Sequence, residues 1–302
     1  VSEEATLDLP MQEAGDTFHS TMEGETIVRF AYVIDEVKKW GTCPVLKLDI
    51  GGGESMEFTR IPKGRFVMGS PWFELERRGD EPEHEVEITK EFYLGRYPVT
   101  QAQYKAVTGL NPSRFTGVGL PVKCESTGAR LPVESLSWED ANRYCELLSV
   151  KLGRKASLPT EAQWEYACRA GTQTPFHFGS KLDGGLANCY RACPYGTDIR
   201  LPENEWMTTE VGSYPANPWG LYDMHGNVCQ YCSDWYGPYA LLTDNRDPVQ
   251  HVRQPQTPDR VTRGGCWQSS AHACRSAFRG RFEARIDPTD LNGIRVCLPL
   301  DR

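Results

Sequence analysis

The sequence has no apolar run approaching the ~20 residues that a membrane-spanning helix needs, and no secretory leader pattern is visible at its start. It opens at Val1 rather than Met, which leaves room for a leader or a preceding domain to have been removed. Positive charge is scarce, with 33 Lys and Arg against 41 Asp and Glu and a formal net charge of -8. No basic stripe stands out, which argues against a nucleic-acid partner. The deficit is uneven. Residues 1–24 carry Glu3, Glu4, Asp8, Glu13, Asp16 and Glu23 with no Lys or Arg. They also lack hydrophobic periodicity, so they read as an acidic tail or linker. Internal repeats and low-complexity segments are missing too.

The 302 residues suffice for one large domain or two ordinary ones, and for a core that needs no disulfides. With 28 Gly and 21 Pro, a loop-rich fold is favoured over a helical bundle. The 8 Trp and 13 Tyr are suited to pinning irregular segments down. Eleven cysteines is an odd number, so at least one thiol is unpaired within the chain. That count fits a reducing, cytoplasmic setting or a mixed pattern.

Strand signals appear in ETIVRFAYVI from Glu25, in VLKLDI (Val45–Ile50), in MEFTRI (Met56–Ile61) and in GRFVMGS (Gly64–Ser70). The stretch Glu85–Val99 alternates apolar and polar residues and reads as one half-buried strand. Three helices are marked by capping boxes, Thr100 with Gln103, Ser137 with Asp140 and Thr160 with Gln163, and Gly109 and Gly171 stand where the first and third should stop. On the second helix Trp138, Ala141, Cys145 and Leu148 share a face. Cys145 and Cys168 read as small core residues.

Several segments then read together: GRFVMGS, DEPEHEVEITKEFYLGRYPVTQAQYKAVTG, LPVESLSWEDANRYCELLS, SLPTEAQWEYACRAGT, VGSYPANPWGLYDMHGNV, SDWYGPY, RVTRGGCW and LNGIRV. In this order they resemble the formylglycine-generating enzyme family, the sulfatase-modifying factors, over about Ser55 to Leu300. The division implied is an acidic tail 1–24, a strand region 25–54 at the domain margin, and a family-like domain 55–302. The resemblance implies an α+β fold, the C-type-lectin-like variant of this family, with little regular secondary structure. It also implies a chemistry in which copper, held by two thiolates, and oxygen convert a sulfatase cysteine to formylglycine. Other proteins of this fold bind ligands without catalysis, including variable proteins diversified by retroelements, so fold alone leaves function open.

In the family the two active-site thiols lie four and nine residues after a Gly-Gly pair. Here those positions are Ser269 and Cys274, and the residue directly after Gly265, a serine in the family, is Cys266. A hydroxyl is a poor ligand for a soft metal. Either Cys266 reaches Cys274 and a displaced copper site survives beside Ser269, or the two pack separately, or they form a disulfide. The resemblance also places calcium-binding segments near Asn188 and Asn227. Gln230 stands where the family has Glu, a change that weakens a site for a hard cation. Cys189-x3-Cys193 and Cys229-x2-Cys232 invite a zinc reading, but cysteines three apart on a strand face opposite sides.

Three functions follow. The first is a formylglycine-generating oxidoreductase that modifies a protein substrate, with Cys274, Cys266 and Ser269 at its centre. The second is a non-catalytic module that binds a peptide, protein or glycan through Trp267, Gln268, His272, Phe278, Arg281 and Phe282, a mixture of aromatics and Arg typical of recognition patches. The third is a regulatory domain of a larger protein.

Overall fold

A computed structural model describes residues 22–116, 128–199, 202, 206–242, 244–255, 258–283 and 289–300. The acidic segment up to Thr21 and Cys124 lie outside them. Three sheets organise the chain. The largest has five antiparallel strands in the order β1 (Glu25–Ile34), β2 (Val37–Gly51), β3 (Glu54–Ile61), β6 (Phe92–Gly95) and β11 (Cys297–Pro299). The segment before residue 55 is thus continuous with the main sheet. A second sheet runs β10 (Asn292–Gly293), β7 (Cys229–Trp235), β8 (Asp259–Arg263), β9 (Gly280–Glu283). A two-stranded ribbon pairs β4 (Gly64–Met68) with β5 (His84–Ile88).

The long alternating run after Glu85 is therefore two strands, one in the ribbon and one in the main sheet. The break falls at Thr89, whose N–H donates to Asp247 Oδ1 at 2.9 Å in place of a ladder partner.

The three helices, α1 (Gln101–Thr108), α2 (Trp138–Leu152) and α3 (Glu161–Arg169), begin at the expected capping boxes, each with both reciprocal hydrogen bonds. The left-handed residue ending α3 is Ala170, one position before the expected Gly171. α1 and α2 cover the main sheet with a core that includes Phe58, Tyr104, Tyr144, Cys145 and Leu148. Trp138 lies at its edge, where Arg260 covers its ring at 3.6 Å. α3 sits between the ribbon and β7–β8, and buries Trp164 and Cys168 completely.

Around α3 the interior is charged as well as apolar. Arg169, Arg263, Arg275, Arg279 and Arg295 are all fully buried. Glu165 Oε1 accepts from Gly69 N and Arg169 Nε, both at 2.9 Å, and its other oxygen pairs with Arg263. Glu161 chelates Arg279 at 2.7 and 2.8 Å and reaches Arg263 at 3.1 Å. Arg275 is gripped by Glu81 at 2.7 and 2.9 Å and by Glu74. Buried charges persist only when paired and hydrogen-bonded. Two of these five, Arg263 and Arg279, flank the segment 264–278 and a third, Arg275, lies near its end, so its path is fixed at both ends.

Candidate functional site

That segment leaves β8 through Gly264 and Gly265, both with positive φ. A side chain at Gly265 would meet Cys274 Sγ at 2.6 Å and Ala273 O at 2.9 Å, so the limbs of the loop touch there. Cys266 N–H donates to Ser269 Oγ at 3.0 Å and Ser269 N–H to Cys266 O at 2.9 Å, which curls the first limb. A 3-10 turn, Ala271–Cys274, forms the second. The loop is backed by residues 188–193, through Tyr190 N to Ser269 O at 2.8 Å and Ala271 N to Cys193 O at 3.1 Å. Its base is tied to the GLYDMHGNV segment by Gly226 N to Gly264 O at 2.7 Å and Trp267 N to Asn227 O at 2.9 Å.

These contacts sort the thiols in a way the spacing does not suggest. Cys266 packs with Cys229, Phe115, Leu131, Met207 and Trp267, whereas Cys274 packs with Cys189, Phe176, Phe178, Leu182 and Tyr195. Of the three alternatives left open for Cys266 and Cys274, the two are found packed separately, each in a cluster with another cysteine. The Cys229 thiol donates to the Cys266 sulfur, which Ser269 Oγ also meets at 3.2 Å. With these donors and the N–H groups of Gln268 and Ser269 aimed at it, the Cys266 thiol is pulled down to about 7 in spite of burial. Cys229, as the donor, is driven well above the usual thiol value. Cys274 donates to Cys189 and is fully buried, and both push it well above the usual value, so it is a neutral thiol. Among the described residues all ten cysteines are free. As a copper pair Cys266 and Cys274 do not fit, because their side chains pack in two different core clusters.

His225, from the same GLYDMHGNV segment, was not singled out in the sequence. Its Nδ1–H donates to Cys274 O at 2.7 Å and its Nε2 accepts from His177 N at 3.1 Å, so it is neutral. Burial brings it down to about 4. It stacks on His177, ring centres 4.8 Å apart. The ring holds the Cys274 turn in place, and no sequence spacing signals that.

The residues expected near calcium are engaged otherwise. Gln230 Oε1 accepts from Trp164 Nε1 at 2.8 Å and Arg295 Nε at 2.7 Å, so a cation there would face a guanidinium. Asn227 clamps Thr209 through both ends of its amide, and Asn188 donates to Met207 O at 2.9 Å. Gln230 does not fit as a calcium ligand. For zinc, no group of three or more His, Cys, Asp or Glu side chains converges among the described residues. Cys229 and Cys232 face different core clusters.

The expected recognition patch is only partly at the surface. Trp267 is buried, edge-on to Phe115 at 5.5 Å, and Phe282 leans inward on the main core. β9 alternation turns Arg281 outward beside Phe282, where it lies over Tyr236 at 5.2 Å. Gln268 is exposed, while His272 and Phe278 stack edge-on at 5.0 Å and are half-buried.

Two aromatic features missed in the sequence flank the loop instead. Trp72 and Phe73, 84% and 71% exposed, form a T-shaped pair on a tongue held by Glu74 to Arg275 and by Tyr195 Oη to Leu75 O at 2.6 Å. On the other side Tyr190 packs on the half-exposed Trp206, whose ring meets Trp267 edge-on at 6.3 Å. No helix among the described residues is long and apolar enough to cross a membrane.

Comparison with known proteins agrees with this architecture. The family described as sulfatase-modifying factor enzyme 1-like domain matches residues 52–299. The chain is 33% identical over 245 residues to the serine/threonine-protein kinase pkn1 of Chlamydia caviae, covering 74% of this chain and 35% of the kinase. It therefore spans about a third of that relative's length. It is 32% identical over 275 residues to the formylglycine-generating enzyme of Mus musculus, covering 76% and 70% of the two chains. The solved structure of PvdO from Pseudomonas aeruginosa superposes with a TM-score of 0.68 at 28% identity, covering 84% of this chain and 98% of the other.

Proposed function

The chain belongs to the sulfatase-modifying factor enzyme 1-like family, with its C-type-lectin-like fold, and from that premise we propose that it is a recognition domain for a polypeptide segment, without the family's oxidation at the loop after Gly265. One observation carries the reading. Ser269 stands where a copper thiolate is needed, its hydroxyl is spent on Cys266, and Cys274 is kept as a neutral, fully buried thiol. That set favours a loop without a bis-thiolate centre.

What remains is a loop staked by buried ion pairs and bordered by Trp72, Phe73, Tyr190 and Trp206, with Gln268 and His272 between. Rigid aromatic rings around a fixed polar loop lose little entropy on binding and supply most of the contact energy in recognition surfaces. The kinase relative, of which this chain matches about a third, favours a domain that serves a larger assembly.

Incubation of the full chain with a sulfatase-type Cys-x-Pro-x-Arg peptide, oxygen and Cu(I) tests the loss of catalysis. The expected peptide mass is unchanged, and conversion of the cysteine to formylglycine would sink the reading. Selection of displayed peptides against the chain tests the binding half. Selected peptides should lose binding to the variant carrying Trp72→Ala and Phe73→Ala; equal binding to both proteins would place recognition elsewhere.

A further inference from the structure

We propose that the acidic segment 1–21 folds back on its own chain and docks, through its carboxylates, on the outer face of the β1–β2 hairpin at Arg29, Lys38 and Trp40. This surface belongs to the strands before residue 55, and the inference stands independently of what the loop after Gly265 does.

The two faces of the hairpin differ. On one, Phe30, Tyr32, Cys43 and Val45 close a small core with Ala216. Strand alternation turns Ile27, Arg29, Ala31 and Val33 to the other face, where Arg29 lies opposite Thr42, Ala31 opposite Trp40 and Val33 opposite Lys38. Further along β2 that second face is covered, since Leu46 and Leu48 lie in the core beneath α1 and α2. Short of Leu46 it lies open. Ile27 and Trp40 are each 56% exposed, and Arg29, Lys38 and Thr42 are exposed beside them.

Charge selects the occupant. The Arg29 guanidinium lies over the Trp40 ring at 4.6 Å and Lys38 Nζ at 5.2 Å. A cation resting on a ring is held in place while its N–H groups stay free for an anion. Neither cation is paired with a carboxylate among the described residues. The nearest acids in sequence, Asp35 and Glu36, sit in the turn, where Asp35 N–H is tied to Phe178 O at 2.9 Å. Residues 1–21 have the complementary composition: Glu3, Glu4, Asp8, Glu13 and Asp16 with no Lys or Arg, and Leu7, Leu9, Met11 and Phe18 to rest on Ile27 and Trp40. They are joined to β1 through Met22, so weak contacts gain from a high effective concentration that a separate acidic partner lacks. The reach suffices. Ala31, beside Trp40, is about 20 Å along β1 from Glu25, and the stretch from Glu13 to Met22 spans up to about 30 Å when extended.

The test treats the full, unmutated chain with a zero-length carbodiimide, which joins carboxylates to lysines in contact, and maps the links by mass spectrometry. Lys47 and Lys39 are the references. Lys47 follows Leu46, the partner of Glu25, and so lies nearest the root of the segment, while Lys39 faces the other side of the hairpin, opposite Tyr32. At low salt the carboxylates of residues 1–21 should link to Lys38 at least about fivefold more than to Lys39 or Lys47, and the preference should vanish in roughly 0.5 M NaCl. Equal yields at the three lysines, or an excess at Lys47, describe a segment that is tethered but not docked and overturn the proposal. Links found only in cross-linked dimers overturn it as well, because the face would then belong to a second copy. A second measurement compares acylation of the lysines in the unmutated chain and in a full chain carrying Glu3→Gln, Glu4→Gln, Asp8→Asn, Glu13→Gln and Asp16→Asn, changes that touch none of the described contacts. Lys38 should react about fivefold faster in the variant and Lys39 at an unchanged rate. An unchanged rate at Lys38 refutes the docking.

Discussion

Glu165→Gln tests the physical basis of the site loop. Glu165 is wholly buried and holds Gly69 N, Arg169 and Arg263 with its two oxygens. Arg263 in turn donates to Ser276 O and Phe278 O, both at 2.8 Å, and so joins the start of the loop to its end. The substitution keeps volume and removes one negative charge. It also turns an N–H₂ group toward one of these donors. Removing one partner of a buried pair costs about 3–5 kcal/mol, because the charge left behind stays desolvated. With an m-value of roughly 4 kcal/mol/M, above the small-protein range because m grows with the surface exposed on unfolding, the urea midpoint should fall by about 1 M. The comparison is Arg143→Ala. Its partner Glu146 lies 3.0 Å away but both side chains are more than half exposed, so less than about 0.5 kcal/mol is expected. Unfolding followed by tryptophan fluorescence reads both. If the two variants lose the same small amount, the arginines are not charges sealed in the interior, and the account of a loop staked at both ends fails.

Three further outcomes are expected. Cys266 should react with a small methylthiolating reagent with a pH midpoint near 7, and Cys274 should stay inert at that pH; equal rates by mass spectrometry contradict the sorting of the thiols. Gly265→Ala, forced to a φ of 68° and against Cys274 Sγ, should lose at least about 2 kcal/mol, and a loss under about 0.5 kcal/mol on urea titration means the limbs do not touch. His225 falls from 6.5 to about 4 in the fold, so the unfolded chain takes up its proton first and its contribution is lost as pH drops through that window, by up to about 3 kcal/mol. Asp223 and Asp234, raised to about 6, act oppositely: their stabilisation is full below the unfolded value of 3.8 and is lost as pH rises through 6. The stability gap between the unmutated chain and His225→Gln should therefore shrink between pH 7 and 4.5, and a constant gap would show that the imidazole is not held neutral.

What could be read in the sequence was what is local. Capping boxes at Thr100, Ser137 and Thr160 need four residues each, and all three formed. The strand from Glu25 and the burial of Cys145 and Cys168 follow from periodicity in the same way. The site was legible as a stretch, 264–282, but not as a set of partners. Cys229 meets Cys266 because β7 and β8 share a register, and Cys189 meets Cys274 because an irregular segment lies under the loop. Neither relation leaves a periodic trace. Trp267 looked like a binding aromatic because exposure cannot be told from composition; Phe115 and the Cys266 pocket cover it. The exposed tongue at Trp72 was hidden for the converse reason, since an apolar run beside a strand reads as core.

The loop from Cys266 to Cys274 has its anchors outside itself, in Arg263, Arg275 and Arg279, and four inward pins, Cys266, Trp267, Ala271 and Cys274. The side chains of Gln268, Ser270 and Ala273 are among the less buried ones between these pins. Those three positions, unlike the pins, tolerate exchange if the frame alone sets the path of the loop. A library randomised at those positions should still yield folded proteins, so the loop would keep its course while its surface chemistry changed.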